Sequence, residues 1–182
     1  MDNPAGFYWK HILCDNNGNE LEIKSGGGSD FTNELYNDKG YFVPYNKNGY
    51  TCFDLNMVKR FEDDREYCQL GILCHHWLVD GNAIGYRSGH NSKYCSTVKE
   101  IAEVSQRSER AIKGIVAYGK KNGLIVKHSK RFYVNPAHFL KNGQRITPLL
   151  FSLFEKDVRE VVTPMYIAKL RADAIMLGFM EG

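Results

Sequence analysis

Residues 96–136, STVKEIAEVSQRSERAIKGIVAYGKKNGLIVKHSKRFYVNP, constrain the fold more tightly than any other part of the chain. Ser96 or Thr97 can accept hydrogen bonds from the free amides that open a helix. Behind them Val98, Ile101, Ala102 and Val104 recur at helical spacing. Ser105-Gln106-Arg107 reads as a turn. Ser108 caps a second helix from Glu109 to about Lys121, with Ile112, Ile115 and Tyr118 three residues apart on its buried face. Gly123 stands where the residue past a helix end adopts a positive φ. Two short alternating strands follow, Leu124–Lys127 and Arg131–Val134, joined by His128-Ser129-Lys130, and Asn135-Pro136 stops the second. Helix, turn, helix and hairpin in that order predict a winged helix-turn-helix with Val126–Val134 as the wing.

Charge is distributed unevenly along the chain. The formal net charge is only +3 over 182 residues, but residues 87–145 carry 13 Lys/Arg against 3 Asp/Glu. Residues 1–86 carry 7 against 13, and residues 146–182 carry 4 against 5. A basic middle between acidic flanks is the electrostatic pattern of a nucleic-acid-binding face. On the second helix of the pair, Ala111, Gly114 and Ala117 are small enough to let it sit deep in a major groove. Arg107, Arg110 and Lys113 supply donors for base edges or phosphates, and Lys127, His128, Lys130 and Arg131 put charge on the wing. The candidate DNA-contacting set is therefore Thr97, Lys99, Gln106, Arg107, Ser108, Arg110, Ala111, Lys113, Gly114, Lys127, His128, Lys130 and Arg131.

The flanks read differently. Residues 1–53 form a β-rich extension: Phe7–Cys14 and Glu20–Ile23 flank a hairpin-type turn at Asp15–Asn19, and Gly40–Tyr45 and Tyr50–Phe53 are short strands around Asn46–Gly49. Ser25–Asp30 is glycine-rich but lacks the lysine and following apolar helix of a phosphate loop, so it reads as a connector. The predicted domain spans 54–145. It opens with a helix capped by Asp54 and running to about Phe61, then a helix over Arg65–Val79, with Asp80–Tyr94 as a loop. Residues 146–182 are helical. Thr147 caps a helix with Pro148 at its first position, and Pro164 opens the last helix. There Ile167, Leu170, Ala174 and Leu177 form a seam at 3-4-3 spacing, predicted to join two copies as a homodimer.

Other chemistries find little footing. Cys74-His75-His76 lies in a helical run, where neighbours point about 100° apart and cannot share one metal. No tetrahedral ligand spacing, Walker lysine, supported acid pair or nucleophile elbow is present, so neither metal, cofactor nor catalysis is expected. The five cysteines are scattered with no CxxC, as in a reduced compartment. The N-terminal MDNPAGFYWKHILCD lacks the pattern of a secretory signal, and no apolar run approaches the ~18 residues of a membrane span.

The winged segment resembles small plasmid replication proteins of the Firmicute RepL type. The resembling features are EIA in the first helix, SERAI at the start of the second, KNGLI at its close, and Tyr133-Val134-Asn135-Pro136 followed by Phe139, Lys141 and Gly143. The upstream hairpin around Asp15–Gly18 with Glu20 after it, and Phe42-Val43, are similar in order. The glycine-rich connector and long C-terminal tail depart from that family's short pattern, and MarR-like regulators share the same core. The resemblance implies a cytoplasmic origin-binding protein of a plasmid or phage, acting on double-stranded DNA with a host replication or transcription protein. The alternatives are a transcriptional regulator of a mobile element and a winged-helix module that binds a host factor. The expected fold class is α+β: a winged helix-turn-helix with an N-terminal β-rich extension and C-terminal helices.

Overall fold

A computed structural model describes residues 11–14, 20–24, 36–37, 40–42, 51–52, 65–141, 144–162 and 164–182. The first part holds β1 (His11–Cys14), β2 (Glu20–Lys24), β3 (Tyr36–Asn37), β4 (Gly40–Phe42) and β5 (Thr51–Cys52). Helix α1 (Arg65–Trp77) leads into β6 (Leu78–Val79), β7 (Ala83–Ser88) and β8 (Asn91–Tyr94). Then come α2 (Val98–Ser105), α3 (Glu109–Lys121), β9 (Ile125–His128) and β10 (Arg131–Val134). The order closes with β11 (Leu140–Lys141), β12 (Arg145–Ile146), α4 (Pro148–Val161) and α5 (Pro164–Met176). Helices combined with antiparallel pairings give an α+β architecture. No described helix is long and apolar enough to cross a membrane.

Strand alternation explains how one sheet serves two cores. Strands β6, β7, β10 and β9 pair in that order, with β8 on the outer part of β7. Phe132 and Val134 of β10 and Ile84 of β7 enter a core with α1, α2 and α3. Tyr133 and Ala83, on the other face, enter a core with α4 and α5. The sheet is thus a shared middle layer. Leu70, Leu73, Ile101 and Ile112 are almost fully buried. Each such side chain contributes about 1.5–3 kcal/mol. That packing decides whether α2 forms, since its 8 residues are too few to be stable alone.

Buried asparagines fix the crossing from one core to the other. Asn82, fully buried at φ 57°, donates to the carbonyls of Val134 (2.8 Å) and Phe139 (2.7 Å) and accepts from the Lys141 amide (3.0 Å). Asn135 donates from Nδ2 to the Gly123 carbonyl (3.1 Å) and to Asp157 Oδ2 of α4 (2.6 Å), while its Oδ1 accepts from the Ala137 amide (3.1 Å). The Asn-Pro ending of β10 is therefore a tie between the end of α3 and the middle of α4. The early strands attach to the segment beyond it: β5 pairs with β11, and β4 lies between β3 and β12. At Gly40 a Cβ would stand 2.2 Å from the Ile146 carbonyl oxygen, so only glycine permits that approach.

Several sequence expectations are corrected. Asp80–Tyr94 is not a loop but a three-residue 3-10 turn (Asp80–Asn82) followed by the β7–β8 hairpin. Helix α1 stops at Trp77, and Leu78-Val79 pairs with β7. The strands around residues 40–53 pair with β11 and β12 rather than with each other. The seam on α5 is filled within the chain: Leu170 and Ala174 are fully buried, and Ile167 packs against the same core, beside α4 and Tyr166. Leu177 alone of the four stays exposed, at 53%. A helical stripe looks the same whether its partner is in cis or in trans, and here α4 supplies it. The helix expected from Asp54 to Phe61, the turns at Asp15–Asn19 and Asn46–Gly49, and the Ser25–Asp30 connector lie outside the described residues.

Replacing Asn82 removes three hydrogen bonds at once and leaves their backbone partners buried, each at about 1–3 kcal/mol. Asn82→Ala is expected to lower unfolding stability by about 3–5 kcal/mol in urea titration, against under about 0.5 kcal/mol for Asn91→Ala at an exposed position. Equal midpoints for the two variants would refute the role of Asn82.

Candidate nucleic-acid interface

The helix pair is set by its caps. Thr97 Oγ1 accepts from the Glu100 amide (3.1 Å), and the Glu100 carboxylate accepts from the Ser96 amide (2.7 Å) and hydroxyl (2.9 Å). Those bonds, the one from the Ser96 amide foremost, hold the Glu100 carboxyl below its usual pKa. Glu103 faces Lys99 at 3.8 Å. Two of the three acids in the basic segment are thus engaged locally. Gln106 ends α2 in the left-handed region, φ 54°, and Ser108 opens α3 by accepting from the Ala111 amide (3.3 Å).

Helix α3 is sharply two-sided. Ile112, Ile115, Val116 and Gly119 are buried. Gly119 lets the helix rest on β9, since a Cβ there would lie 2.7 Å from the Ile125 side chain. At 100° per residue, Arg110, Lys113, Gly114, Ala117, Lys120 and Lys121 fall on the opposite side, and all are exposed. A Cβ on Gly114 would meet nothing within 4 Å. No Asp or Glu follows Glu109 until Glu155. The outer face therefore presents cations on a strip of small residues.

The β9–β10 hairpin stands next to it. Arg131 pairs with His128 and Phe132 with Lys127. The turn residues Ser129 (φ 45°) and Lys130 (φ 65°) are both left-handed. A two-residue hairpin turn of this hand favours asparagine and glycine, so a serine and a lysine hold it under strain. The buried Phe132 ring carries two ammonium groups, Lys127 at 5.0 Å and Lys120 of α3 at 5.6 Å from its centroid. That shared ring joins the hairpin root to the last turn of α3. On the other side Arg131 stacks over Tyr94 of β8 at 3.8 Å.

The predicted residues separate accordingly. Arg110, Ala111, Lys113, Gly114, Lys127, His128, Lys130 and Arg131 are exposed on α3 and the hairpin. Thr97 and Ser108 are exposed but serve as helix caps, Gln106 is the exposed end of α2, and Lys99 is exposed opposite Glu103. Arg107 turns inward, its Nη1 donating to Gln69 Oε1 of α1 at 2.9 Å, and so braces the turn. Lys120 and Lys121 join the outer face although the sequence reading omitted them. Their helical angle relative to Arg110 was the available signal. Cys74 is buried while His75 and His76 are exposed, so that triplet does not converge. A cleft of about 740 Å³ opens beside them, lined in part by Trp77, Tyr86, Arg87 and Lys141. Burial and the Arg87 charge push the Lys141 ammonium pKa down. Burial pushes the thiol pKa values up, Cys95 to about 11 and Cys74 further.

In comparisons with protein-family models, curated proteins and solved structures, none matches the chain.

Proposed function

We propose that this chain is a cytoplasmic, non-catalytic protein that binds double-stranded DNA through a winged helix-turn-helix. In this reading α2 and α3 are the helix pair, α3 is the recognition helix, and β9–β10 is the wing. The observation that carries the reading is the outer face of α3, where Arg110, Lys113, Lys120 and Lys121 flank Gly114 and Ala117 without an acid among them. Small residues admit close approach to base edges, and the cations meet phosphates. The strained Lys130 supports it: a charge held at the tip of the hairpin, where glycine would be more stable, suits contact with a ligand rather than folding.

Origin binding for plasmid or phage replication is the specific role, in keeping with the resemblance to RepL-type proteins. The burial of Leu170 and Ala174 in cis favours it over regulation of transcription. Palindromic operators call for a two-fold dimer, whereas direct repeats at an origin take one chain each. A host replication protein is the expected partner on that DNA. Selection of bound sequences from a random duplex pool tests this role. Direct repeats of an asymmetric site support initiation, and an inverted repeat supports regulation.

Base reading and phosphate holding separate experimentally. Arg110→Ala is expected to relax preference at one or two base pairs by ~1–3 kcal/mol each. Lys120→Ala combined with Lys121→Ala weakens all duplexes alike and flattens the log–log salt slope by about 2. If Arg110→Ala weakens selected and random duplexes by one common factor, Arg110 does not read bases.

Lys130→Gly exposes the trade at the wing. Relief of left-handed strain raises stability by roughly 0.5–1 kcal/mol, while duplex affinity falls and the salt slope drops by about 1. Urea titration and fluorescence anisotropy on the same sample read both. A variant that is more stable with unchanged affinity would remove Lys130 from the interface.

A further inference from the structure

The β7–β8 hairpin takes no part in the helix pair or the wing, yet it is built with care. Its pairs run from Gly85↔Tyr94 to Ser88↔Asn91 and leave Gly89-His90 as a two-residue turn. Gly89 has φ 63°, as glycine at the first position of a type II′ turn requires. At Gly85 a Cβ would stand 2.1 Å from the Lys93 carbonyl oxygen. Asp80 ties both strands near the tip, accepting from Ser92 Oγ (2.6 Å) and from Arg87 Nη2 (3.1 Å).

Apart from Asp80, its surface is neutral or cationic. Residues 87–91 and Lys93 are exposed, and no Asp or Glu occurs between Gly81 and Lys99. Arg87 is held by Asp80 at 3.1 Å, and Lys93 sits among neutral donors, Ser88 and Asn91, with His90 at the tip.

Its direction matters as much. Strand β7 is antiparallel to β10, with Ala83 opposite Tyr133, and β10 starts at the wing turn. Strand β7 consequently runs toward that turn, and the two hairpins lead to the same end of the sheet. The stack of Arg131 on Tyr94 ties them side by side at 3.8 Å.

We propose that the β7–β8 hairpin is a second finger that grips DNA phosphates beside the wing, on the flank of the segment read by α3. The proposal rests on the DNA-binding reading above. Lys93 supplies the charge at mid-strand, and the Gly89-His90 turn brings backbone amides to the same phosphates. An exposed lysine among neutral donors, with Arg87 already paired to Asp80, suits backbone contact, not base reading.

The test uses the full chain and a duplex that the unmutated protein selects from a random pool. Hydroxyl-radical footprinting and the salt slope are measured for it, for Lys93→Ala and for Lys93→Glu. Lys93 is exposed, so unchanged urea midpoints are expected and serve as the folding check. The expected result is protection lost on one flank only, an intact central footprint, unchanged base preference, and a slope flatter by about 1 for Lys93→Ala. Identical flank protection and slope in all three proteins would overturn the second finger while leaving the winged-helix reading in place. An unmutated protein that protects no duplex would overturn both.

Discussion

The placement of everything near the basic face depends on hydrogen bonds that have no water to replace them. Asn135 is fully buried where β10 ends. Its amide group spans the Gly123 carbonyl just past α3 and the Asp157 carboxylate on α4. Its backbone carbonyl accepts from the amides of both His138 and Phe139. A buried donor without a partner costs about 1–3 kcal/mol, so this side chain admits one arrangement of the segments it touches. Asn82, from the turn before β7, does the same for residues 134, 139 and 141. Helix α3 is thereby held from behind, against a layer of helices that never approaches its outer face.

That separation lets one helix carry both a buried apolar side and an exposed basic side. The inner side of α3 is apolar and carries Gly119 where β9 comes closest. The outer side is free of packing demands, and its residues are small or cationic. The nearby acids are drawn into caps and an ion pair, Glu100 by Ser96 and Glu103 by Lys99. Exposed pairs of that kind contribute little to stability, but they quiet negative charge next to the face. The Phe132 ring, with Lys120 and Lys127 on it, makes the β9–β10 hairpin root and the helix end one cationic unit.

Local punctuation made much of this legible. Thr97, Ser108 and Gly123 are short-range signals acting on the nearest turn, and they mark the helix ends in the structure. The hairpin at Ser129-Lys130 and the stop at Asn135-Pro136 are local in the same sense. What escaped was set over longer range. The outer half of the β7–β8 hairpin is exposed, so it has no apolar alternation to announce it. Leu78-Val79 continues the helical spacing of α1 and is claimed by β7 instead. Arg107 carried the right charge, and only its distance to Gln69 shows that it braces the turn. The stripe on α5 gave burial correctly, and it packs within the chain, a point on which spacing carries no information.

The most direct test of the central claim is an amide-resolved NMR titration of the 182-residue chain with duplex DNA at low salt. The account predicts shifts concentrated on residues 108–121 and on the 127–131 turn, with α1, α4 and α5 unmoved. Shifts centred on α5 or on the cleft by Trp77, with α3 silent, would contradict it.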